Sequence, residues 1–402
     1  MQVVVVGSGA REHALAWRLS RSPRLTELHA APGNPGIAAL GRCHPVRADD
    51  GDGLLALALT LEADLVVIGP EAPLVAGVGD ELRRNGIAVF GPSAEAARIE
   101  GSKTFAKDVM RAAGVATAET LAVARPPCVV KADGLASGKG VFVCRTAEEL
   151  DEALRAVRQF EGGVVIEELL EGREVSVFAL SDGRRAVPLA AAQDFKRIGD
   201  GDTGPNTGGM GAYSPVPWFG GTDELVEQVH QPVIDELARR GAPFVGCLFA
   251  GVMVTPDGPR VLEFNARFGD PETQALMPRL DCDLLDVLAA AAHGDLGGSQ
   301  LSASGQAAVT VVLAGPDYPA RSDYVGAAIE GVGDAEATGA LVFHGGTAMR
   351  GDTLVTNGGR ILSVTGLGGT VAAAREHAYA AAGMIEFEGA RHRSDIAAVV
   401  DG

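Results

Sequence analysis

Residues 263–274 read Glu-Phe-Asn-Ala-Arg-Phe-Gly-Asp-Pro-Glu-Thr-Gln, which sets two oxygen ligands, an arginine and a tight turn within twelve positions. The preceding run, 258–262, reads as a turn entering a strand. Residues two apart on a strand share a face, so Glu263 and Asn265 should point the same way. Two hard oxygens on one face suit Mg²⁺, which takes one or two protein ligands and keeps its other positions for water and substrate phosphates. Arg267 adds a guanidinium fork that binds phosphate oxygens bidentately. Its ordinary alternative is a salt bridge to Asp270 or Glu272. The chemistry expected of this cluster is phosphate handling.

Two glycine loops extend that reading. Gly7-Ser8-Gly9-Ala10-Arg11-Glu12 follows a strand and opens a helix, but Glu12 stands at the third glycine position of a dinucleotide fingerprint. The acid expected about 20 residues later is also missing, since His29-Ala30-Ala31-Pro32-Gly33 stands there, and NAD is not expected. Backbone N–H groups at a helix N-terminus still make an anion site, to which Gly33-Asn34-Pro35-Gly36 can add more, and a substrate phosphate is favoured over a cofactor. His13 either touches that substrate or packs under the glycine turn. The second loop, Lys131 to Gly140, has three residues between its glycines and Gly140 after the lysine, so it is not a P-loop. Two lysines bracketing so side-chain-poor a loop would still let its amides fold over a triphosphate, with Lys131 fixed on a strand and Lys139 mobile. Further on, Val164 to Glu174 reads as an edge strand whose backbone can read an adenine, with a carboxylate beyond it for ribose hydroxyls. Asp202, Thr203, Asn206 and Thr207, set among glycines, read as a substrate-facing loop, because so much glycine is costly in a purely structural turn.

The elements that must carry these groups divide 402 residues, 47% hydrophobic, into several domains. Val3 to Val6, Leu65 to Ile68 and Ile87 to Phe90 are apolar runs followed by glycine turns, the pattern of a doubly wound parallel sheet. We expect a Rossmann-like domain with a linker helix over 1–117, a small lobe over 118–187, a large lobe over 188–303 and a small α+β domain over 304–402. A long helix is expected near Glu224 to Arg239. The formal charge of −18 opposes a nucleic-acid duplex or an anionic membrane as partner. Five scattered cysteines lack zinc spacing, no apolar run approaches the roughly 20 residues needed to span a bilayer, and the amino terminus has no signal-peptide pattern. A cytoplasmic monomer is expected.

Taken in order, these segments resemble an ATP-grasp ligase, and more narrowly the glycinamide ribonucleotide synthetase family. The resemblance rests on residues 7–15, Gly-Pro-Glu-Ala-Pro-Leu at 69–74, Gly-Ser-Lys at 101–103, the 131–140 loop, residues 202–215, Thr-Asn-Gly-Gly-Arg at 356–360 and, most specifically, Arg-Phe-Gly-Asp-Pro-Glu-Thr-Gln at 267–274. It covers essentially the whole chain. It implies a Rossmann-like N-terminal domain, a two-lobed ATP-grasp fold clamping ATP, and a C-terminal domain closing the substrate cleft.

By this resemblance Lys103 and Lys131 contact ATP phosphates, and Gly134, Ser137, Gly138, Lys139 and Gly140 cover them. Glu167, Glu168 and Leu170 frame the adenine, Glu174 takes the ribose, and Glu263 and Asn265 hold Mg²⁺ or Mn²⁺. Arg267, Asp194 and Lys196 are the implied catalytic residues. Gly9, Arg11, Glu12, His13, Gly33, Asn34, Asp202, Thr203, Asn206, Thr207, Gly208 and Gly209 are the implied substrate contacts. The implied reaction joins glycine to 5-phosphoribosylamine through glycyl phosphate, in purine biosynthesis. Its rivals are a carboxylase-type purine enzyme of the same fold and a catalytically inactive nucleotide-binding regulator. One departure is visible. The family usually has Gln-Asp-His-Lys-Arg where this chain has Gln193-Asp194-Phe195-Lys196-Arg197, which leaves any imidazole role at 195 without its residue.

Overall fold

A computed structural model describes residues 1–136, 139–160, 162–299 and 301–398. The amino-terminal sheet is parallel, in the order Arg42–Cys43, Glu27–Pro32, Gln2–Gly7, Leu65–Ile68, Val89–Phe90. Its central strand is covered on both faces, and Val3, Val4, Val5 and Val6 are all buried, as a continuous β-branched run requires. The helix Lys103–Ala113 leads out of this domain. The Ser102 hydroxyl accepts from Phe105 N at its start, and Gly114 at φ 70° ends it.

The small lobe is a three-stranded antiparallel sheet, Val141–Cys144, Cys128–Asp133 and Gly163–Glu168, backed by the helix Ala147–Ala156. The remaining large sheet has eight antiparallel strands: Gly258–Asn265, Val245–Thr255, Arg173–Asp182, Ala186–Asp194, Gly211–Ser214, Ala307–Ala314, Arg360–Gly368 and Leu341–His344. Two expected boundaries run through it. Arg173–Asp182, expected in the small lobe, pairs with Val245–Thr255 of the large one. The carboxy-terminal strands, expected to form a separate unit, continue the same sheet through the pairing of Gly211–Ser214 with Ala307–Ala314. A second carboxy-terminal sheet joins Tyr324–Ala328, Thr353–Gly358 and Thr347–Arg350.

The helix expected near 224–239 is interrupted: Thr222–Leu225 and Gln231–Arg239 flank a π segment, Val226–His230. Pro232 has no N–H to give the preceding turn, and the wider turn absorbs the missing bond. Among the described residues no helix is long and apolar enough to cross a membrane.

Candidate active site

The cleft is floored by the strand Gly258–Asn265. Past a bulge opposite Gly251 and Val252 the ladder is regular, so alternation puts Glu263 and Asn265 on one face, while Phe264 is buried behind them. The carbonyl of Leu262, beside the bulge, accepts from Lys131 Nζ at 2.9 Å. Glu263 and Asn265 thus face the cleft side by side, as two hard oxygens on one face should.

Arg267 follows immediately. Its Nη2 donates to Asn265 Oδ1 at 3.1 Å and lies 3.0 Å from Glu100 Oε1, while its Nε lies 3.4 Å from Glu71 Oε2. Both carboxylates come from amino-terminal helices, Glu71–Val75 and Ala94–Gly101. The expected partners Asp270 and Glu272 are therefore not its ion pairs. Burial works against the charged guanidinium, but Glu100 and Glu71 outweigh it and hold its pKa above the usual arginine value. Burial also raises the carboxyl of Glu100, whereas Glu71 is drawn down by Arg267 and Arg11 against its own burial.

Lys131 and Lys107 both reach the buried carboxylate of Glu167, each at 2.6 Å. Glu167 therefore orders two lysines, and its side chain is not turned to an adenine. Lys103 Nζ donates to the carbonyl of Gly134 at 3.2 Å, and burial lowers its pKa. Lys196 pairs with Glu174 and, at 3.1 Å, with Asp194. Against the cost of its burial, Asp194, Glu174 and Glu263 keep its ammonium charged. Glu272 lies deeper, where burial, then the charge of Asp194, pushes its carboxyl up to about 7.

All of these groups except Glu174 line a cavity of about 360 Å³. A second cavity, about 660 Å³, opens beyond it between the two amino-terminal glycine turns and the carboxy-terminal residues Gly345, Gly346 and Thr347. Gly208, Asp270 and Arg360 line both. Arg360 Nη2 meets Asp270 Oδ2 at 2.9 Å, and its Nη1 donates to the carbonyl of Gly208 at 2.6 Å.

The structure brings most of the expected residues together. Lys103, Lys131, Gly134, Gly140, Glu167, Asp194, Lys196, Thr207, Gly208, Glu263, Asn265, Arg267 and Arg11 line the first cavity. Gly9, Gly33, Asn34 and Lys139 line the second. Asn34 also caps the turn that follows it and donates to the carbonyls of Ser8 and His344, which ties both glycine turns to the carboxy-terminal region. Ser137 and Gly138 lie outside the described residues.

Others stand elsewhere, each for a local reason. Glu12 is buried and accepts from Gly9 N at 2.7 Å and Arg11 Nε at 2.6 Å. A Cβ at Gly69 would come within 2.1 Å of its carboxylate, so Glu12 braces the turn instead of facing substrate. His13 is buried too, its Nδ1 accepting from His344 N at 2.8 Å, which decides for packing beneath the turn. Glu168 accepts from Glu119 N, and Glu174 holds Lys196 from behind. Leu170 and Gly209 line neither cavity. Asp202 and Thr203 sit on the exposed hairpin Arg197–Gly199/Thr203–Asn206, where Asp202 pairs with the buried Arg393 at 2.7 Å. Asn206 donates to the carbonyl of Val141 at 3.2 Å and lines an outer groove, not the cleft.

Phe195 lies in the two-residue link between the strands Ala186–Asp194 and Arg197–Gly199. Asp194 and Lys196 face the cavity, and the ring between them turns to the other side, 6.3 Å from Tyr213 and 4.9 Å beneath the Arg393 guanidinium. The residue at 195 does not touch the cleft. Conversely, Lys107, Glu71, Glu100, Asp270, Glu272 and Arg360 line it without having been singled out as site residues. Glu71, Asp270, Glu272 and Arg360 lay inside the quoted motifs, which was the available signal. Lys107 and Glu100 had none.

Three family models cover nearly all of the chain: the N domain of phosphoribosylglycinamide synthetase over residues 1–100, its ATP-grasp (A) domain over 101–273 and its C domain over 308–399. The chain belongs to this family. It is 52% identical over 419 aligned residues to the phosphoribosylamine–glycine ligase of Streptomyces coelicolor, with 100% of both chains covered. To that of Mycobacterium leprae it is 47% identical, covering 98% of this chain and 97% of the relative. The crystal structure of phosphoribosylamine–glycine ligase from Thermotoga maritima matches with a TM-score of 0.84 at 33% identity, over 98% of this chain and 100% of that one. N5-carboxyaminoimidazole ribonucleotide synthetase from the same organism shares the fold alone, at 17% identity and a TM-score of 0.64, over 96% of this chain and 99% of that one.

Proposed function

We propose that the chain joins glycine to 5-phosphoribosylamine in an ATP-driven reaction that yields glycinamide ribonucleotide, ADP and phosphate, a step of purine biosynthesis. The observation that carries the reading is the pair of cavities with a common wall. One holds lysines, arginines and carboxylates suited to a nucleotide, and the other is walled by glycine turns suited to a sugar phosphate.

A carboxylate is a poor electrophile because oxide would have to leave, so its oxygen must first become phosphate. Glycine's carboxylate attacks the γ-phosphoryl of ATP to give glycyl phosphate, which the sugar amine then captures. Phosphoryl transfer depends on positioning and charge neutralisation, which suits Arg267, Lys103, Lys131 and Lys196 around one cavity. Arg267, held rigidly by two carboxylates, stabilises the transferring group. Glu263 and Asn265 fit a divalent cation: both are half-exposed hard oxygens on one strand face, and Glu263 has no cationic partner within ion-pair distance among the described residues. When bound, Mg²⁺ or Mn²⁺ there would neutralise phosphate charge. Lys139 donates to the carbonyl of Pro319 at 2.9 Å, which lays the phosphate loop across to the carboxy-terminal region and supports its role as a cover. The backbone of 167–170 remains our assignment for the adenine edge.

By sheet membership we assign 128–168 to the small lobe and 173–265 to the large one. We read the chain as a cytoplasmic monomer, and its five free cysteines are in keeping with a reducing compartment. The carboxylase and regulator alternatives are disfavoured by full-length relatives at 47–52% identity named as ligases. The test supplies purified protein with ATP, Mg²⁺, glycine and freshly generated phosphoribosylamine. ADP and glycinamide ribonucleotide should appear together, and bicarbonate should not replace glycine. ATP left intact in the complete mixture would reject the proposal.

A further inference from the structure

Asp270 occupies a position that the nucleotide chemistry does not require. It lines both cavities, and among the described residues it is the only carboxylate lining the second. Its two oxygens are held from different sides: Oδ2 meets Arg360 Nη2 at 2.9 Å, and Oδ1 accepts from Gln274 Nε2 at 2.8 Å. Gln274 is fully buried, and Arg360 is itself fixed by donating to the carbonyls of Gly208 and Asp270. The carboxylate is therefore oriented before any substrate arrives. It is not used up, because its side chain keeps 18% exposure and an ionised carboxylate offers about four acceptor positions. The exposed side faces the amino-terminal glycine turn, since a Cβ at Gly9 would stand 3.9 Å from Oδ2.

We infer that Asp270 is the catalytic group that receives the acceptor amine where the two cavities meet. The inference rests on the function proposed above, which places the acyl phosphate in the first cavity and the sugar amine in the second. The two can react only across the wall that Gly208, Asp270 and Arg360 make. A neutral amine reaching that wall donates one N–H to the carboxylate, which aims its lone pair at the acyl carbon. The C–N bond forms, the bond from carbon to the phosphate oxygen breaks, and phosphate leaves with that electron pair. The proton lost by nitrogen passes to the Asp270 carboxylate and then to solvent. Arg360, bound to the same carboxylate, keeps it in register for the next turnover.

The experiment separates acyl phosphate formation from amine capture. Hydroxylamine is small and strongly nucleophilic, and it captures an acyl phosphate without a positioned base, so hydroxamate formation from ATP and glycine reports the first step alone. In Asp270→Asn the hydroxamate rate should stay within about threefold of the parent, while amide formation at saturating phosphoribosylamine falls by on the order of 10²-fold, as for loss of a general base. Asp270→Glu, which keeps the charge one methylene out of place, should show the same split with about a tenfold loss. It carries the comparison should the asparagine variant not fold. Equal falls in both rates, or an unchanged amide rate, would overturn the role. If the parent itself forms no ADP in the complete mixture with glycine and phosphoribosylamine, the proposed function fails first, and the two failures are told apart.

Discussion

The guanidinium of Arg267 stands in the cleft because Glu71 and Glu100 hold it from behind. That arrangement makes two separable predictions. Arg267→Ala should lower kcat by about 10²–10³, the loss that follows removal of a transition-state charge donor. It should also cost stability, about 3–5 kcal/mol, because two carboxylates are left facing one another in a buried site. Arg267→Lys should recover most of the melting temperature without recovering kcat, since a point charge replaces the fork. A kcat for the alanine variant within threefold of the parent would remove the arginine from the chemistry. The residue type pointed to the role we propose, but nothing local in the sequence pointed to its partners. Glu71 and Glu100 are far upstream, and the acids nearest in sequence are engaged elsewhere, Asp270 with Arg360 and Glu272 beside Asp194. The surroundings of Glu12 and His13 were hidden for the opposite reason. Their neighbours in sequence look like a ligand loop, and only the fold shows Gly69 and Gly36 closing over them.

At the scale of elements, period-two alternation was the most dependable guide. It put Glu263 with Asn265. What alternation could not supply is strand order. Nothing local to Arg173–Asp182 says that its neighbour is Val245–Thr255 and not Gly163–Glu168. Nor does any periodicity reveal that the helix Ala10–Leu19 meets the strand Leu341–His344 through His13 and His344. That junction is sensitive to pH. Burial, then the neighbouring imidazole, lowers His13 to about 3, and burial lowers His344 to about 4, both from 6.5. Below pH 6.5 the unfolded chain takes up protons that the folded junction refuses, so this contribution is complete above 6.5 and is lost as pH falls toward 4. Glu272 acts in the opposite sense between 4.5 and about 7, where the folded state keeps a proton the unfolded one has released. A comparison of variant with parent isolates the histidines. In His344→Gln the drop in urea midpoint between pH 7.5 and 5 should be smaller than in the parent. An identical drop would show that the imidazole is not held neutral.

For the molecule as a whole, the eight-stranded sheet matters more than the division into domains. The chain reads as modules in sequence, and the family models match it as modules, yet Gly211–Ser214 pairs across the join with Ala307–Ala314. Composition and turn signals mark where linkers fall, but not whether a sheet continues past them. Ending the chain at residue 303 should therefore not release a stable nucleotide-binding fragment. It would bare the edge of Gly211–Ser214, with a row of unpaired N–H and C=O groups open to association. Size-exclusion chromatography of such a fragment should find aggregate, and a soluble, cooperatively melting monomer would contradict the shared sheet. The same topology sets an order of events on the ribosome. All five strands of the parallel sheet lie within Gln2 to Phe90, so that body can close while translation continues. Gly211–Ser214 must wait for Ala307–Ala314, which in turn waits for Arg360–Gly368. At about 5–20 residues per second the nascent polypeptide carries that bare seam for roughly 5–20 s, and this is the interval in which a ribosome-associated chaperone would have most to protect.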